Sequence, residues 1–186
     1  GAWLDLFDPS EKPFGATRRS ISLGRDPRPG AVSADGSKLF FVDHASNSAT
    51  VLDLRSTTAA STVTVGQAPV GGYLLSGDRY GVSLDSGSRT ATVIDLSTMT
   101  RVSTLMLDGE PHHGASSADG STLFVSLGGS SWPPKGEGAA VIAGEPPQVV
   151  TTLDTGRGAA RVAAARDGRR AAIANYQDRS LTIVER

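Results

Sequence analysis

The feature of this sequence that most constrains its fold is an internal repeat of about 42 residues. The first complete unit, 24–65, reads GRDPRPGAVSADGSKLFFVDHASNSATVLDLRSTTAASTVTV, and the second, 66–107, reads GQAPVGGYLLSGDRYGVSLDSGSRTATVIDLSTMTRVSTLML. Two further units cover 108–155 and 156–186. The first two units keep one proline and two aspartates at matching offsets: Pro27 and Pro69, Asp43 and Asp85, and Asp53 and Asp95. A chain with such a period folds as a row of equivalent units that pack on one another.

Each unit has the pattern of four short β-strands separated by turns. Turn residues recur in the first unit as Ala-Asp-Gly at 34–36 and as HASNS at 44–48. The strands of this unit are predicted near 29–34, 38–44, 49–55 and 60–65. Few stretches keep helical periodicity over three turns, so we expect an all-β fold. Four strands joined by local turns form an antiparallel meander, which is one blade of a β-propeller, and the chain would contain about four blades.

The two ends of the chain bear on how the blades are arranged. Residues 2–8 (AWLDLFD) match the third strand of a unit and 17–23 (TRRSISL) its outermost strand, whereas the last unit lacks an outermost strand. Residues 1–23 are interpreted as the second half of a preceding blade or, alternatively, as the closing strand of a four-blade ring. Because closure would leave two third strands competing for one place, we expect 1–186 to be one partial propeller domain that belongs to a larger ring or pairs with another chain.

Composition excludes several classes of function. With 18 basic and 19 acidic residues the net charge is -1, which gives no field to attract nucleic acid. No apolar run approaches the length of a transmembrane segment. The chain has no cysteine, so disulfides and thiolate metal sites are excluded. No serine lies in a GxSxG elbow, which argues against a serine hydrolase.

Several segments resemble the bacterial and archaeal propeller repeats called YVTN. The similarity lies in LFFVDHASNSATVLDL, TLFVSLGG and AAIANYQDRSLTIVE, with Gly-x-x-Pro before the first strand of the first two units and Asp108 in place of the glycine in the third. Ala159 departs from this pattern where the last unit should have its proline, and rings of this family usually have about seven blades. The resemblance implies a β-propeller that is usually exported, hence periplasmic or extracellular. Related propellers are cell-surface scaffolds, lactone hydrolases, or parts of haem, copper and quinone redox proteins.

The pair His112 and His113 stands where the repeat proline leads into the innermost strand, at the mouth of the central tunnel. Arg28 and Arg161 occupy the same region in other units. The resemblance implies haem or metal ligation near here in redox relatives, and imidazole suits such metals. Adjacent strand residues point to opposite faces, and His44 is the only other histidine, so a hydrogen-bonded rim histidine is the favoured interpretation.

Carboxylates recur at two offsets. Asp43, Asp85 and Asn175 end the second strand of their units, where paired carboxylates serve acid/base chemistry, bind a divalent cation, or accept turn N–H bonds. Equivalent positions in a repeat favour the structural role. A second series follows the third strand and is expected to accept turn N–H bonds or to pair with an arginine of a neighbouring blade: Asp5, Asp53, Asp95 and Glu185.

The third unit carries an insertion at 128–138, GGSSWPPKGEG. Trp132, flanked by prolines and Lys135, offers an apolar contact of the kind that anchors interfaces. The alternative is that Trp132 folds back over its own blade. The insertion is therefore the local candidate for an interaction site.

These observations favour a non-enzymatic binding or scaffold propeller whose loops contact a protein or surface ligand. The predicted binding residues are Arg28, Trp132, Lys135 and Arg161, with no catalytic residue, no metal and no cofactor. The alternatives are a redox-associated subunit with His112 or His113 near a haem, copper or quinone, and, more weakly, a lactone hydrolase. The predicted core consists of Val32, Phe40, Val42, Val51, Val93, Leu123, Val125, Val141, Val162, Ile173 and Ile183.

Overall fold

A computed structural model describes residues 2–6, 10, 12–13, 19–56, 59–129 and 131–185. Within these residues the chain forms short antiparallel strands and a single 3-10 turn at Ser86–Ser88. The strands in chain order are β1 (Trp3–Leu6), β2 (Arg19–Ser22), β3 (Pro27–Val32), β4 (Lys38–Asp43), β5 (Ser48–Asp53), β6 (Ala59–Thr64), β7 (Pro69–Leu75), β8 (Tyr80–Asp85), β9 (Thr90–Asp95), β10 (Thr100–Met106), β11 (His113–Ser116), β12 (Thr122–Ser126), β13 (Ala139–Ala143), β14 (Gln148–Leu153), β15 (Ala159–Ala164), β16 (Arg170–Asn175) and β17 (Ser180–Glu185). No helix in the described ranges is long and apolar enough to cross a membrane.

The repeat units form separate sheets, each a meander of neighbouring strands. Three sheets have four strands, β3–β6, β7–β10 and β11–β14, while β15–β17 form a three-stranded sheet and β1–β2 a two-stranded one. The all-β fold with four-stranded antiparallel blades is confirmed. In the first unit the strands lie within two residues of the predicted bounds. The inner strand β3 begins earlier than predicted because Pro27 pairs with Asp43, and a bulge follows between Arg28 and Ala31.

The two N-terminal strands pair with each other. Trp3 lies opposite Ser22 and Leu4 opposite Ile21. Residues 7–8 and 17–18 of the strands predicted here lie outside the described residues. At the other end, β17 pairs with β16. The described part of β2 therefore lies beside β1.

The core lies between sheets, because each sheet presents one apolar face to the unit before it and one to the unit after it. The inner strands β3, β7, β11 and β15 contact one another in that order. Val51 packs with Leu74 of the next sheet, and Val93 with Leu123 of the sheet after that. Val141 likewise packs with Ile173. Burial between sheets is what holds the row of blades together.

Two of the predicted core residues are exposed, and both predictions were wrong. Val32 is 55% exposed and Ile183 is 58% exposed, whereas the other predicted core residues are buried. Val32 has the offset of Leu74, which packs against the preceding four-stranded sheet. Ile183 has the offset of Val93, which packs against the following one. Val32 lies on the side of its sheet that faces the two-stranded β1–β2 sheet, and Ile183 lies on the outer side of the β15–β17 sheet. No four-stranded sheet among the described residues covers either side chain.

Candidate functional site

The predicted site residues lie at the same edge of the sheets, where the strands of each sheet end in loops. The loops at this end join the second strand of each sheet to the third, and the fourth strand to the next inner strand. The insertion at 128–138 is the connection between β12 and β13, and His112 lies in the segment that enters β11. The residues 176–179 connect β16 to β17 on the next sheet. We call this side of the molecule the loop end.

His112 is held by the insertion. Its Nδ1 lies 2.6 Å from the carbonyl oxygen of Gly129, and its backbone N–H donates to the carbonyl of Ser126 at 2.9 Å. Because a carbonyl only accepts, Nδ1 carries the proton that is donated. The Nε2 atom of the neutral ring therefore keeps its lone pair.

His113 has the opposite tautomer. The backbone N–H of Val162 donates to its Nδ1 at 3.3 Å, so the proton of the neutral ring is on Nε2. Burial, followed by the charges of Arg161 and His112, lowers the pKa of His113 to about 4. The ring is neutral at pH 7. Both histidine rings thus make hydrogen bonds through Nδ1, one as a donor and the other as an acceptor.

Three aromatic side chains form a group that we call the aromatic platform: His112, Trp132 and Tyr176. The Trp132 ring stacks on His112 with 6.4 Å between centroids and 21° between planes, and it lies 5.2 Å from the Tyr176 ring. Trp132 is 69% exposed and Tyr176 52% exposed. Trp132 thus contacts a residue of its own unit and one of the next unit, while most of its surface faces solvent. Tyr176 is not among the residues predicted from the sequence. The signal that could have identified it is that the other units have smaller or polar residues at that turn position.

Backbone hydrogen bonds fix the insertion to both sheets. The N–H groups of Lys135 and Gly136 donate to the carbonyl of Gly128 at 3.0 and 2.9 Å. The carbonyl of Gly136 in turn accepts the N–H groups of Gly158 and Ala159, at 2.8 and 3.0 Å, from the segment that enters β15. These bonds hold the end of the insertion at Lys135 and Gly136 against both sheets, which reduces the backbone freedom that this part would lose on binding.

The predicted binding arginines have different surroundings. Arg28, on β3, donates to Asp26 at 2.8 Å in an ion pair exposed to solvent. Arg161, on β15, is exposed and has no ion pair among the described residues. Its neighbour Val162 bonds to His113, so the structure brings Arg161 and His113 together, whereas Arg28 lies on a more distant strand.

The carboxylates at the end of the second strand support turns. Asp43 accepts backbone N–H bonds from Asp26, Ala45 and Ser46 at 3.2, 3.1 and 3.0 Å. Burial acts to raise the pKa of Asp43, but these donors outweigh it and the pKa is lowered. Asp85 is buried and accepts hydroxyls of Ser83 and Thr92, and here burial prevails and raises the pKa. These contacts favour the structural role over acid/base chemistry.

The remaining members of the two series also make local contacts. Asn175 donates through Nδ2 to Ser180 at 3.0 Å and Thr182 at 2.8 Å. Asp53 and Asp95 accept turn N–H groups, as predicted. The arginines near Asp95 and Glu185 belong to the same sheet and not, as the alternative prediction had it, to a neighbouring blade: Arg79 at 3.7 Å and Arg170 at 3.8 Å. Asp5 accepts the hydroxyl of Ser20 at 2.6 Å.

The loop end also holds a polar cavity of ≈ 370 Å³ beside the insertion, with Lys135, Glu110 and Arg89 among its lining residues. A larger cavity of ≈ 530 Å³ lies between the β1–β2 pair and the first four-stranded sheet, lined by Ile21, Phe41 and others. In the described portion of the chain, no three His, Asp or Glu side chains lie close enough to hold a metal ion. The chemistry that the loop end offers is aromatic contact, hydrogen bonding and exposed positive charge.

No protein-family model matches the chain, and no curated protein does either. Solved structures do. Dihydro-haem d1 dehydrogenase NirN in complex with DHE matches with a TM-score of 0.71 at 17% identity, over 97% of this chain and 40% of that one. A putative 6-phosphogluconolactonase from Bacteroides uniformis matches with a TM-score of 0.72 at 15% identity, over 99% and 61%. The Cps50 (Swd1) β-propeller domain from Myceliophteria thermophila matches with a TM-score of 0.70 at 13% identity, over 90% and 54%.

The chain therefore has a β-propeller fold and spans about 40% to 61% of the length of these three proteins. At such low identities the likeness concerns the fold alone. The neighbours include proteins named as enzymes and one named only as a propeller domain. The resemblance to YVTN repeats stays a prediction, since no family model matches.

Proposed function

We propose that this protein is a non-enzymatic binding propeller whose loop end contacts a protein partner. The aromatic platform is the observation that carries the proposal. Trp132 and Tyr176 present two exposed rings side by side, on loops of two different sheets. Tryptophan and tyrosine are enriched among the residues that dominate interface energetics.

The surroundings of the platform fit an interface. The backbone bonds of Gly136 fix the end of the insertion before any partner binds, which lowers the entropy cost of binding there. Lys135 and the ion pair of Arg157 with Asp178, at 2.9 Å, place charged groups around the rings. A polar rim around an aromatic centre is typical of protein–protein interfaces.

A second contact is proposed at the end face formed by β15–β17. Leu181 and Ile183 are exposed there, while the equivalent Ala91 and Val93 are covered by the next sheet. A blade-like sheet, from a larger ring or a second propeller chain, has the matching surface. We propose a periplasmic or extracellular location, on the basis of the resemblance to exported YVTN propellers, and we propose no cofactor and no nucleic-acid partner.

Site-specific photocrosslinking tests the platform. A benzoyl-phenylalanine is placed at Lys135, an exposed residue of the insertion, and, as the control, at Met106, an exposed residue on the outer strand β10. In cells that produce the protein, we expect a discrete adduct from position 135 that disappears when Trp132→Ala is added. Equal adducts from both positions, or none from position 135, would refute a partner at the platform.

One observation favours the redox-associated subunit as a second candidate. The Nδ1 proton of His112 is bound to a carbonyl, and its Nε2 lone pair accepts nothing among the described side chains, which is the arrangement seen in metal-ligating histidines. Haem contributed by another chain could be ligated there. Titration with haem, followed by absorbance, should shift the haem absorption band. His112→Gln should remove this shift and His113→Gln should keep it, because in His113 the Nδ1 lone pair accepts the N–H of Val162 and Nε2 carries the proton. No shift in the wild type would exclude this candidate.

The lactone-hydrolase candidate gains no support from the tunnel-rim carboxylates. Asp43 and Asp85 accept several hydrogen bonds each within their own turns and strands. A general base needs access to its substrate.

A further inference from the structure

A cluster of hydrogen-bond donors lies on the inner edge of the sheets. It consists of Tyr73 on β7, His113 on β11 and Arg161 on β15, three consecutive inner strands. The N–H of Gly114 donates to the Tyr73 hydroxyl at 2.8 Å, and the N–H of Val162 donates to Nδ1 of His113 at 3.3 Å. Since Gly114 follows His113 and Val162 follows Arg161, the three side chains originate from adjoining positions.

Two members of the cluster are neutral donors. The Tyr73 hydroxyl oxygen accepts a hydrogen bond from the N–H of Gly114, so the hydroxyl proton is available to donate to a ligand. No acceptor for this proton lies among the described residues. Burial raises the pKa of Tyr73, which keeps this proton in place at neutral pH. His113 uses Nδ1 as an acceptor, so its Nε2–H is the free donor.

The third member carries the charge. Arg161 is exposed and has no carboxylate partner in the described ranges, in contrast to Arg28, which pairs with Asp26. Its positive charge adds to burial in lowering the pKa of His113, and it opposes the larger effect of burial, which raises the pKa of Tyr73. The cluster thus offers three kinds of donor and a positive charge that no carboxylate of the described residues pairs with.

We propose that Tyr73, His113 and Arg161 form a binding site for a small oxyanion, a carboxylate or a phosphate group, on the inner edge of the propeller. A guanidinium binds either group through two parallel N–H bonds, and the hydroxyl and the imidazole N–H supply further donors. The innermost strands of a propeller line its central channel, and the three residues belong to such strands. This site is separate from the aromatic platform and does not depend on the proposed protein partner.

Nuclear magnetic resonance titration at pH 7 tests the site, with inorganic phosphate and acetate added separately at constant ionic strength. The amide signals of Gly114 and Val162, which bond to two of the donors, should shift saturably with a dissociation constant in the millimolar range. Arg161→Gln should weaken binding at least about tenfold. Arg169→Gln is the matched control, because Arg169 is an exposed arginine in the turn at the opposite end of the sheet.

Tyr73→Phe, the second variant, should weaken binding several-fold while leaving the fold, checked by circular dichroism, in place. Saturation by only one of the two anions supports the site and identifies that group as its ligand chemistry. Failure of both anions to saturate these signals, or an equal loss in Arg161→Gln and Arg169→Gln, would overturn the proposal.

Discussion

Truncating Val93 and Ile183 to alanine should have opposite outcomes, although both residues have the same offset in the repeat. Val93 is fully buried between two sheets, and Ile183 is 58% exposed. Val93→Ala removes two buried carbons at about 0.8 kcal/mol each and leaves a cavity that costs about 1 kcal/mol more. We expect a loss of about 2–3 kcal/mol in the free energy of unfolding. Ile183→Ala removes more carbon, yet should cost less than about 0.5 kcal/mol because most of that side chain is already hydrated.

Urea denaturation followed by circular dichroism measures both values, and thermal melting should show a drop of about 5–10 °C for Val93→Ala alone. Each variant is measured at two protein concentrations. A small cost for Val93→Ala would mean that the repeat phase is wrong. A cost for Ile183→Ala that is as large as that for Val93→Ala, and independent of concentration, would mean that the end face is covered within the chain.

Three further predictions concern the side chains of the turns and the platform. Asp85→Asn should raise the melting temperature at pH 7 and lose this advantage towards pH 4. A carboxyl whose folded pKa is raised contributes stability below its unfolded pKa of about 4, and this contribution is lost as the pH rises. Asp43→Asn, at a carboxyl with a lowered pKa, should instead destabilise the protein at pH 7, and the same trend for both variants would contradict these opposite pKa shifts. Asp119→Ala should destabilise the protein at pH 6, because hydrogen bonds from hydroxyl and backbone donors, of which that from the Ser117 hydroxyl has the largest effect, lower the pKa of Asp119 to about 2. The difference in stability from wild type should shrink as the pH falls from about 4 towards about 2. A loss of stability that does not change with pH would show that the carboxylate charge is not involved. Tyr176→Ala should leave the melting temperature unchanged within about 2 °C but change the fluorescence of Trp132, and an unchanged spectrum would show that the two rings are apart in solution.

The repeat made the architecture predictable because each unit carries the same turn residues and the same apolar offsets. Ala-Asp-Gly at 34–36 and its counterparts place the strands to within about two residues. The offset alone did not predict the exposure of Val32 and Ile183, since burial of these residues depends on a neighbouring sheet rather than on their own unit. Burial in a repeat protein is a property of an interface between units.

The site was less predictable. The sequence pointed to His112 and Trp132, but their stacking and the participation of Tyr176 depend on how two loops of different sheets meet. The tautomers of the two histidines depend on which backbone group lies beside each ring, and adjacent positions gave opposite results. Tyr73 carried no sequence signal, because its role comes from the bond with Gly114 on another strand.

The two faces of a sheet are not copies of each other, and this gives the row of sheets a direction. Val32 lies on the face that points towards the preceding unit, and Ile183 on the face that points towards the following one. A further sheet that repeats these contacts must place its face of one kind against a face of the other kind. A twofold axis, which would bring two copies of the same face together, therefore cannot relate two chains through these contacts. Any assembly that repeats these contacts is therefore heterologous: the contacts close into a ring if the rotation per blade divides a full turn, and otherwise continue as an open helix.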